Sequence, residues 1–332
     1  MTVPIATDLR ELLVCPVDRT PITAMENWLR CDEEHTYPIV GGVPVLLPGD
    51  LEPTLPDVFA ATREALDGTG PSIRLEVGTD EFIRQWIVRT NGNLYRRLTG
   101  LPRLPIARFP IRCQGRERVL DVGGNWGRWS LGAARDGFEA IVVDPNLEAT
   151  LVGTAAAQAM GLPVHFIVGD ARALPIAEGA IDIAFSYSVL QHFDKVDTGT
   201  ALREMGRTAR SGGRVLVQMP NAFGVRQATN RLRQRGARAT NPFRVRYWTP
   251  RELTRLGRTT VGPTKLAVDG YFSLNPRPED LDFLPTEAAF LVRLSESLKA
   301  VTKTPGGGWL RWLADSLWLD ARVPPRFEPP LS

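Results

Sequence analysis

Residues 119–130, Val-Leu-Asp-Val-Gly-Gly-Asn-Trp-Gly-Arg-Trp-Ser, constrain this chain more than any other stretch. Val119 to Val122 is a short apolar run of the kind a buried strand uses. The run breaks at Gly123 and Gly124, and an amphipathic helix is expected from about Arg128. A glycine turn between a strand and a helix exposes bare backbone at the carboxyl edge of a parallel sheet, where a ligand can approach it. A dinucleotide fingerprint would need glycines in the order G-x-G-x-x-G, so that a pyrophosphate can sit on the helix N-terminus. Counted from Gly123, that template meets Asn125 and Arg128 where it requires glycine. It fails twice.

Further strands follow in register with this one. Residues 140–145, Ala-Ile-Val-Val-Asp-Pro, read as a second strand ending in Asp144 and Pro145. Ribose recognition in doubly wound folds wants an acid about 20 residues after the glycine turn, because a carboxylate accepts from both sugar hydroxyls. Residues 165–171 give a third strand that ends in Asp170 and Ala171. Residues 181–193, which include Ser186 and His192, give a fourth, and residues 212–219 a fifth. Strand-like runs alternating with helical stretches specify an α/β doubly wound sheet.

The spacing Asp121, Gly123, Asn125, Gly127 resembles the first motif of class I S-adenosylmethionine-dependent methyltransferases, with a UbiE-like core of methyltransferase type 11. The resemblance implies a Rossmann-like methyltransferase sheet, with the cofactor-binding core at 113–220. It implies that Asp121, Gly123, Gly124 and Gly127 shape the loop around the methionyl and ribose parts. Asn125 stands where the family has glycine, and Asn is the residue best able to adopt a left-handed backbone angle there. Asp144 with Pro145 would hold the ribose hydroxyls. Asp170 would accept from the adenine amine beside the Ala171 amide, and Ser186 would complete the set. The plainer reading of each acid is a helix cap or a turn. A hydroxyl acceptor needs its proton removed, and His192, just past the fourth strand, has a suitable ordinary pKa. Asp269 or Tyr271 comes next as base.

Residues 1–50 read as a separate small unit. Cys15-Pro-Val-Asp18, Cys31-Asp-Glu-Glu-His35 and the apolar run 37–48 resemble a zinc-ribbon-like module, found as a free activator of some methyltransferases or fused to their N-terminus. Tetrahedral zinc takes four N, S or O donors, usually as closely spaced pairs. Asp18 replaces the expected second cysteine, so Cys15, Asp18, Cys31 and His35 would form the set. The alternative is a degenerate module whose hairpin packs without metal.

Residues 51–112 read as linker and cap helices, in which Trp86, Arg89 and Tyr95 could close over the methionine end of the cofactor. Residues 221–332 read as a substrate-side insertion and the end of the fold. Residues 224–258 hold ten arginines, and Arg244, Arg246 and Tyr247 would face an anionic or glycosidic substrate, with Tyr271 beside them. Most such arginines otherwise make a solvated face. Thr249, Pro250 and Glu252 spell a helix start. A late strand is expected over 268–274, and helical spacing over 288–299 and 309–318, where Trp309, Trp312 and Trp318 recur.

Forty basic and 37 acidic residues leave a formal charge of +3, so no global field points to nucleic acid. Three cysteines fit a reducing cytoplasm rather than a disulfide scaffold. Neither a signal peptide nor a membrane span is expected. The leading function is O-methylation of a small molecule, natural product or glycan. RNA base methylation is the alternative, because ribosomal RNA guanine methyltransferases carry a similar ribbon. A non-catalytic methyltransferase-like binding protein is the third, and the glycine order disfavours a nicotinamide oxidoreductase.

Overall fold

The computed structural model describes residues 7–49, 51, 56–67, 82, 86–87, 104–227, 245–272 and 276–325. Arg89, Tyr95 and Arg244, singled out above, lie outside these residues. After helix α1 (Thr7–Arg10), four short strands build the ribbon: β1 (Ile22–Ala24), β2 (Trp28–Cys31), β3 (Thr36–Val40) and β4 (Val43–Leu46). Helix α2 (Pro56–Leu66) follows. The core then alternates β5 (Arg118–Val122), α3 (Arg128–Arg135), β6 (Glu139–Asp144), α4 (Leu147–Met160), β7 (Val164–Gly169), β8 (Ile181–Tyr187), α5 (Lys195–Thr208) and β9 (Ala209–Pro220). It closes with α6 (Pro250–Thr260), β10 (Thr264–Gly270), α7 (Thr286–Val301) and β11 (Ser316–Arg322).

The described strands form one sheet in the order β1-β2-β3-β4-β7-β6-β5-β8-β9-β11-β10. Strands β5 to β9 are parallel, and β11 runs antiparallel between β9 and β10. The expected α/β sheet is therefore present. Buried on both faces, β5 and β6 use the continuous Val, Leu and Ile runs that parallel strands need. Local chemistry sets the helix starts. Asn146 caps α4 by accepting from the Ala149 amide, and Thr249 and Glu252 exchange side-chain and backbone bonds around Pro250 to cap α6.

Three features depart from the sequence reading. First, the ribbon continues the core sheet: β4 pairs in parallel with β7, Val45 opposite Val168 and Leu46 opposite Gly169. The Val14 amide donates to the Pro175 carbonyl, and Arg19 meets Glu204 at 3.0 Å, so the ribbon also docks on the segment after β7 and on α5. Second, β10 ends at Gly270 instead of running to 274. The Tyr271 amide turns to Ser295 Oγ, and Phe272 takes a positive φ of 65°, which breaks the pleat. Third, residues 309–318 are not one continuous helix: a 3-10 helix covers them only as far as Leu313. A 3-10 turn (Gly307–Leu313) leads into β11, where Trp318 sits opposite Gln218 and packs on Trp129, Phe185 and Tyr187. A short apolar run buried on both faces gives no periodicity to separate strand from helix.

Candidate functional site

The chain runs outward from β5 to β7 on one side and resumes at β8 on the other. The carboxyl ends of β5 and β8 therefore border the crevice where open α/β sheets take ligands. Asp121 lies near the end of β5, Asp144 at the end of β6, and Asp170 just past β7. The Gly123 amide donates to the Val143 carbonyl at 2.7 Å, with φ of 77°. Asn125 adopts φ of 52°, the left-handed angle expected for it, and its amide donates to Asp144 Oδ2 at 2.9 Å. A Cβ on Gly124 would fall 2.7 Å from Asp121 Oδ2 and 2.8 Å from Val142. Only glycine lets the loop rest on that carboxylate.

Both acids are buried. Burial pushes the Asp121 carboxyl up to about 7, against a 2.7 Å bond from Ser130 Oγ, and the charge of Asp144 adds to the rise. Burial likewise pushes Asp144 to about 6, opposed by the amides of Asn146 and Asn125. The buried Asn125 Oδ1 has no partner among the described residues. An unsatisfied buried acceptor costs about 1–3 kcal/mol, so a ligand donor would relieve it. These residues fit an adenosyl ligand: acids at successive strand ends, a loop too tight for a Cβ, and one orphaned acceptor.

The other expected residues are placed less uniformly. Asp170 accepts from Arg172 at Oδ1 and Oδ2, 3.0 and 2.8 Å, and Arg172 reaches on to Asp197 at 3.1 Å. Ala171 is buried beside it. Ser186 Oγ donates to the Val122 carbonyl at 2.8 Å and ties β8 to β5. The Pro145 carbonyl accepts from Thr62 Oγ1 of α2 at 2.9 Å. His192 ends a 3-10 turn (Leu190–His192) and is half-buried, with Nε2 3.3 Å from Gln191 Nε2. Arg246 braces that turn, its amide donating to the Gln191 carbonyl at 2.8 Å and its guanidinium to the His192 carbonyl. Tyr247 is half-buried next to it. Tyr271 is buried, and its hydroxyl donates to the Leu310 carbonyl at 3.1 Å.

Sequence reasoning missed a second buried polar group at the same sheet edge. Arg277 donates to Asp269 Oδ1 at 2.9 Å and to the Tyr187 hydroxyl, and lies over the rings of Trp129 and Tyr187. Asp269 also accepts from Ser316 at 2.8 Å, so it is an anchored acceptor rather than a free base. Nearby, Arg128 pairs with Asp280 at 2.8 Å and donates to the Pro105 carbonyl. A signal existed. Arg128 opens α3, where the helix dipole disfavours a cation, so it needed an acidic partner.

In the ribbon, one ligand atom each from Cys15, Asp18, Cys31 and His35 lies within 4.8 Å of the others. His35 Nδ1 stands 2.8 Å from Asp18 Oδ2, 3.4 Å from Cys31 Sγ and 3.7 Å from Cys15 Sγ. Thr20 donates to the other oxygen of Asp18 from both amide and hydroxyl, which aims Oδ2 inward. The Thr20 hydroxyl holds the Asp18 carboxyl well below its usual range, while Cys31 and Asp18 raise the His35 imidazole. Two thiols, an imidazole and a carboxylate clustered this way are a donor set zinc accepts, with Thr20 and Tyr37 as outer supports.

Residues 119–213 match the family described as a methyltransferase domain. The chain carries a methyltransferase domain. Ajmaline N-methyltransferase of Rauvolfia serpentina is 33% identical over 118 residues, covering 34% of this chain and 40% of that protein. The ubiquinone/menaquinone biosynthesis C-methyltransferase UbiE of Pectobacterium atrosepticum is 33% identical over 119 residues, covering 33% of this chain and 46% of that protein. The chain thus spans less than half the length of either curated relative. A crystal structure of an S-adenosylmethionine-dependent methyltransferase from Methanosarcina mazei superimposes with a TM-score of 0.46 at 16% identity, over 64% of this chain and 95% of that one. The methyltransferase domain holds Asp121, Asn125, Asp144, Asp170 and His192, whereas the ribbon and residues 214–332 lie outside it. Among the described residues no helix is long and apolar enough to cross a membrane.

Proposed function

We propose that this chain binds S-adenosylmethionine at the carboxyl ends of β5 and β6 and methylates an oxygen of a small molecule, natural product or glycan. What carries the reading is the loop 123–127, in which acids from two successive strands meet one glycine turn: Gly124 rests on Asp121 and the Asn125 amide bonds Asp144. Asp144 keeps lone pairs for the ribose hydroxyls, and Asp121 and Asn125 form the loop around the methionyl part. The bound cofactor supplies a methyl group already activated on a sulfonium. Holding it in line with the acceptor is the protein's main task, worth on the order of 7–11 kcal/mol. With an acceptor hydroxyl in place, His192 would take its proton. Arg246 and Gln191 fix the turn that presents this imidazole. Zinc held by Cys15, Asp18, Cys31 and His35 belongs to the same proposal, as a staple of the ribbon.

Calorimetry with S-adenosylmethionine tests the cofactor half. Asp144→Ala should weaken binding at least tenfold, and unchanged affinity would sink the assignment. Incubation of candidate acceptors with methyl-labelled cofactor, read by mass spectrometry, tests the acceptor half. A second reading, RNA base methylation, is favoured by the four-ligand cluster, which resembles the ribbon of ribosomal RNA guanine methyltransferases. It requires RNA binding that weakens as salt is raised.

A further inference from the structure

Helix α6, strand β10 and the turn before β11 enclose a groove of about 550 Å³. It belongs to the far end of the sheet, separated from β5 by β8, β9 and β11, so it is distinct from the cofactor crevice. Arg251, Arg255 and Arg258 line it from α6, at positions that share one helical face. Arg311 lines it from the turn. Among the described residues none of these four guanidiniums lies in an ion pair with a carboxylate. The one acid of α6, Glu252, is taken by Lys195 and by its own cap. Like charges spaced along one helix face cost stability, and a bound anion would remove that cost.

Between the arginines the lining is mainly apolar: Leu266, Ala267 and Leu317 contribute to it, with Thr254 and Thr259, whose hydroxyls donate to backbone carbonyls of α6. At the rim Arg311 lies over the Trp312 ring, and Phe223 packs on the same ring. Phe223 is 50% exposed and Trp312 37%, so aromatic surface adjoins the cationic groove. Cations beside exposed Trp and Phe above an apolar slot suit a molecule with a negative head and a hydrocarbon tail.

We propose that this groove docks the phosphate-bearing head and first acyl carbons of an anionic lipid presented by a membrane surface. The four arginines meet the phosphate charge, the half-buried Leu266 and the exposed Ala267 take the chain, and Trp312 and Phe223 enter the headgroup layer. The site stands independently of the methyl-transfer reading.

Co-sedimentation of the full chain with phosphatidylcholine vesicles, with and without phosphatidylglycerol, tests it. Binding should require phosphatidylglycerol and fall as salt is raised. The double variant Arg255→Ala, Arg258→Ala should bind such vesicles more than tenfold more weakly, at roughly fivefold per arginine. Trp312→Ala should also weaken binding, while Arg116→Ala, an exposed arginine outside the groove, should leave it unchanged. Melting temperatures and cofactor affinity matching the parent chain would show that the double variant is folded. Absent binding, equal binding to neutral vesicles, or full retention by the folded double variant would overturn the proposal. Complete displacement by glycerol phosphate would overturn it in favour of a soluble phosphate ligand. A single-stranded RNA that binds tighter than the vesicles, and loses affinity in the same double variant, would overturn it in favour of nucleic acid.

Discussion

In the ribbon, four polar side chains from residues 15–35 converge on one another; at the ends of β5 and β6, Asp121 and Asp144 are satisfied by a hydroxyl and by backbone amides. Strands β1 to β3 are three to five residues long, with alternating or partial burial, whereas β5 and β6 are buried almost throughout. A small unit of this kind buries too little apolar surface to hold itself, so its stability must come from side-chain chemistry or from a neighbour. The ribbon has both resources: the cluster of ligands and the β4–β7 pairing. The core needs neither, and its loop is free to hold a strained angle and an orphaned acceptor for a ligand.

Removing one ribbon ligand should have the largest effect. Structural zinc contributes on the order of 10–16 kcal/mol of apparent binding energy that is inseparable from folding. Elemental analysis should find one zinc per parent chain and almost none in Cys31→Ala, with hydrogen exchange accelerated in β1 to β3 and little changed in β5 and β6. Metal-free parent protein with the ribbon fully protected would break the contrast. The cluster would then be a hydrogen-bonded knot and β4–β7 pairing the real anchor.

Gly124→Ala should come next. Its Cβ would meet Asp121, itself buried and bonded to Ser130, and Val142 behind it. Overpacking of this kind costs about 1–3 kcal/mol. Cofactor affinity should fall at least tenfold with the ribbon unaffected, as calorimetry and hydrogen exchange would show. An unchanged affinity would mean that the loop is not fitted to its carboxylate.

The legible parts of the molecule were those where local chemistry and final structure coincide. Asn125 could be read as left-handed because few residues tolerate that angle, and Thr249 with Glu252 because a capping box is a local bond. Cys15, Asp18, Cys31 and His35 could be read because ligand spacing is short-range. What escaped was long-range. Tyr187 lies 82 residues before Asp269 and meets it and Arg277 only because β10 and β8 end at the same edge. Strand β11 escaped for a related reason, since Ser316–Arg322 is a strand only by insertion between β9 and β10. The β4–β7 pairing was hidden as well, because an apolar run of four residues does not name its partner.

The smallest effect, and the one that tests the core's half of the contrast most directly, is the pH dependence of the two buried acids. Asp121 is raised to about 7 and Asp144 to about 6, both by burial, so the folded chain holds these protons more tightly than the unfolded one. Stability from this source is therefore fully present below the ordinary carboxyl range, near pH 4. It is lost as pH rises toward 7. Asp121→Asn should accordingly melt close to the parent chain near pH 4 and above it near pH 8, in the absence of cofactor. Cofactor binding should run the other way: on the proposed binding mode ribose hydroxyls would donate to ionised Asp144, so affinity should weaken as pH falls below about 6 in the parent and not in Asp144→Asn. Parallel melting curves for Asp121→Asn and the parent across that range would mean that water reaches the carboxylate, and that the crevice is wetter than its burial implies.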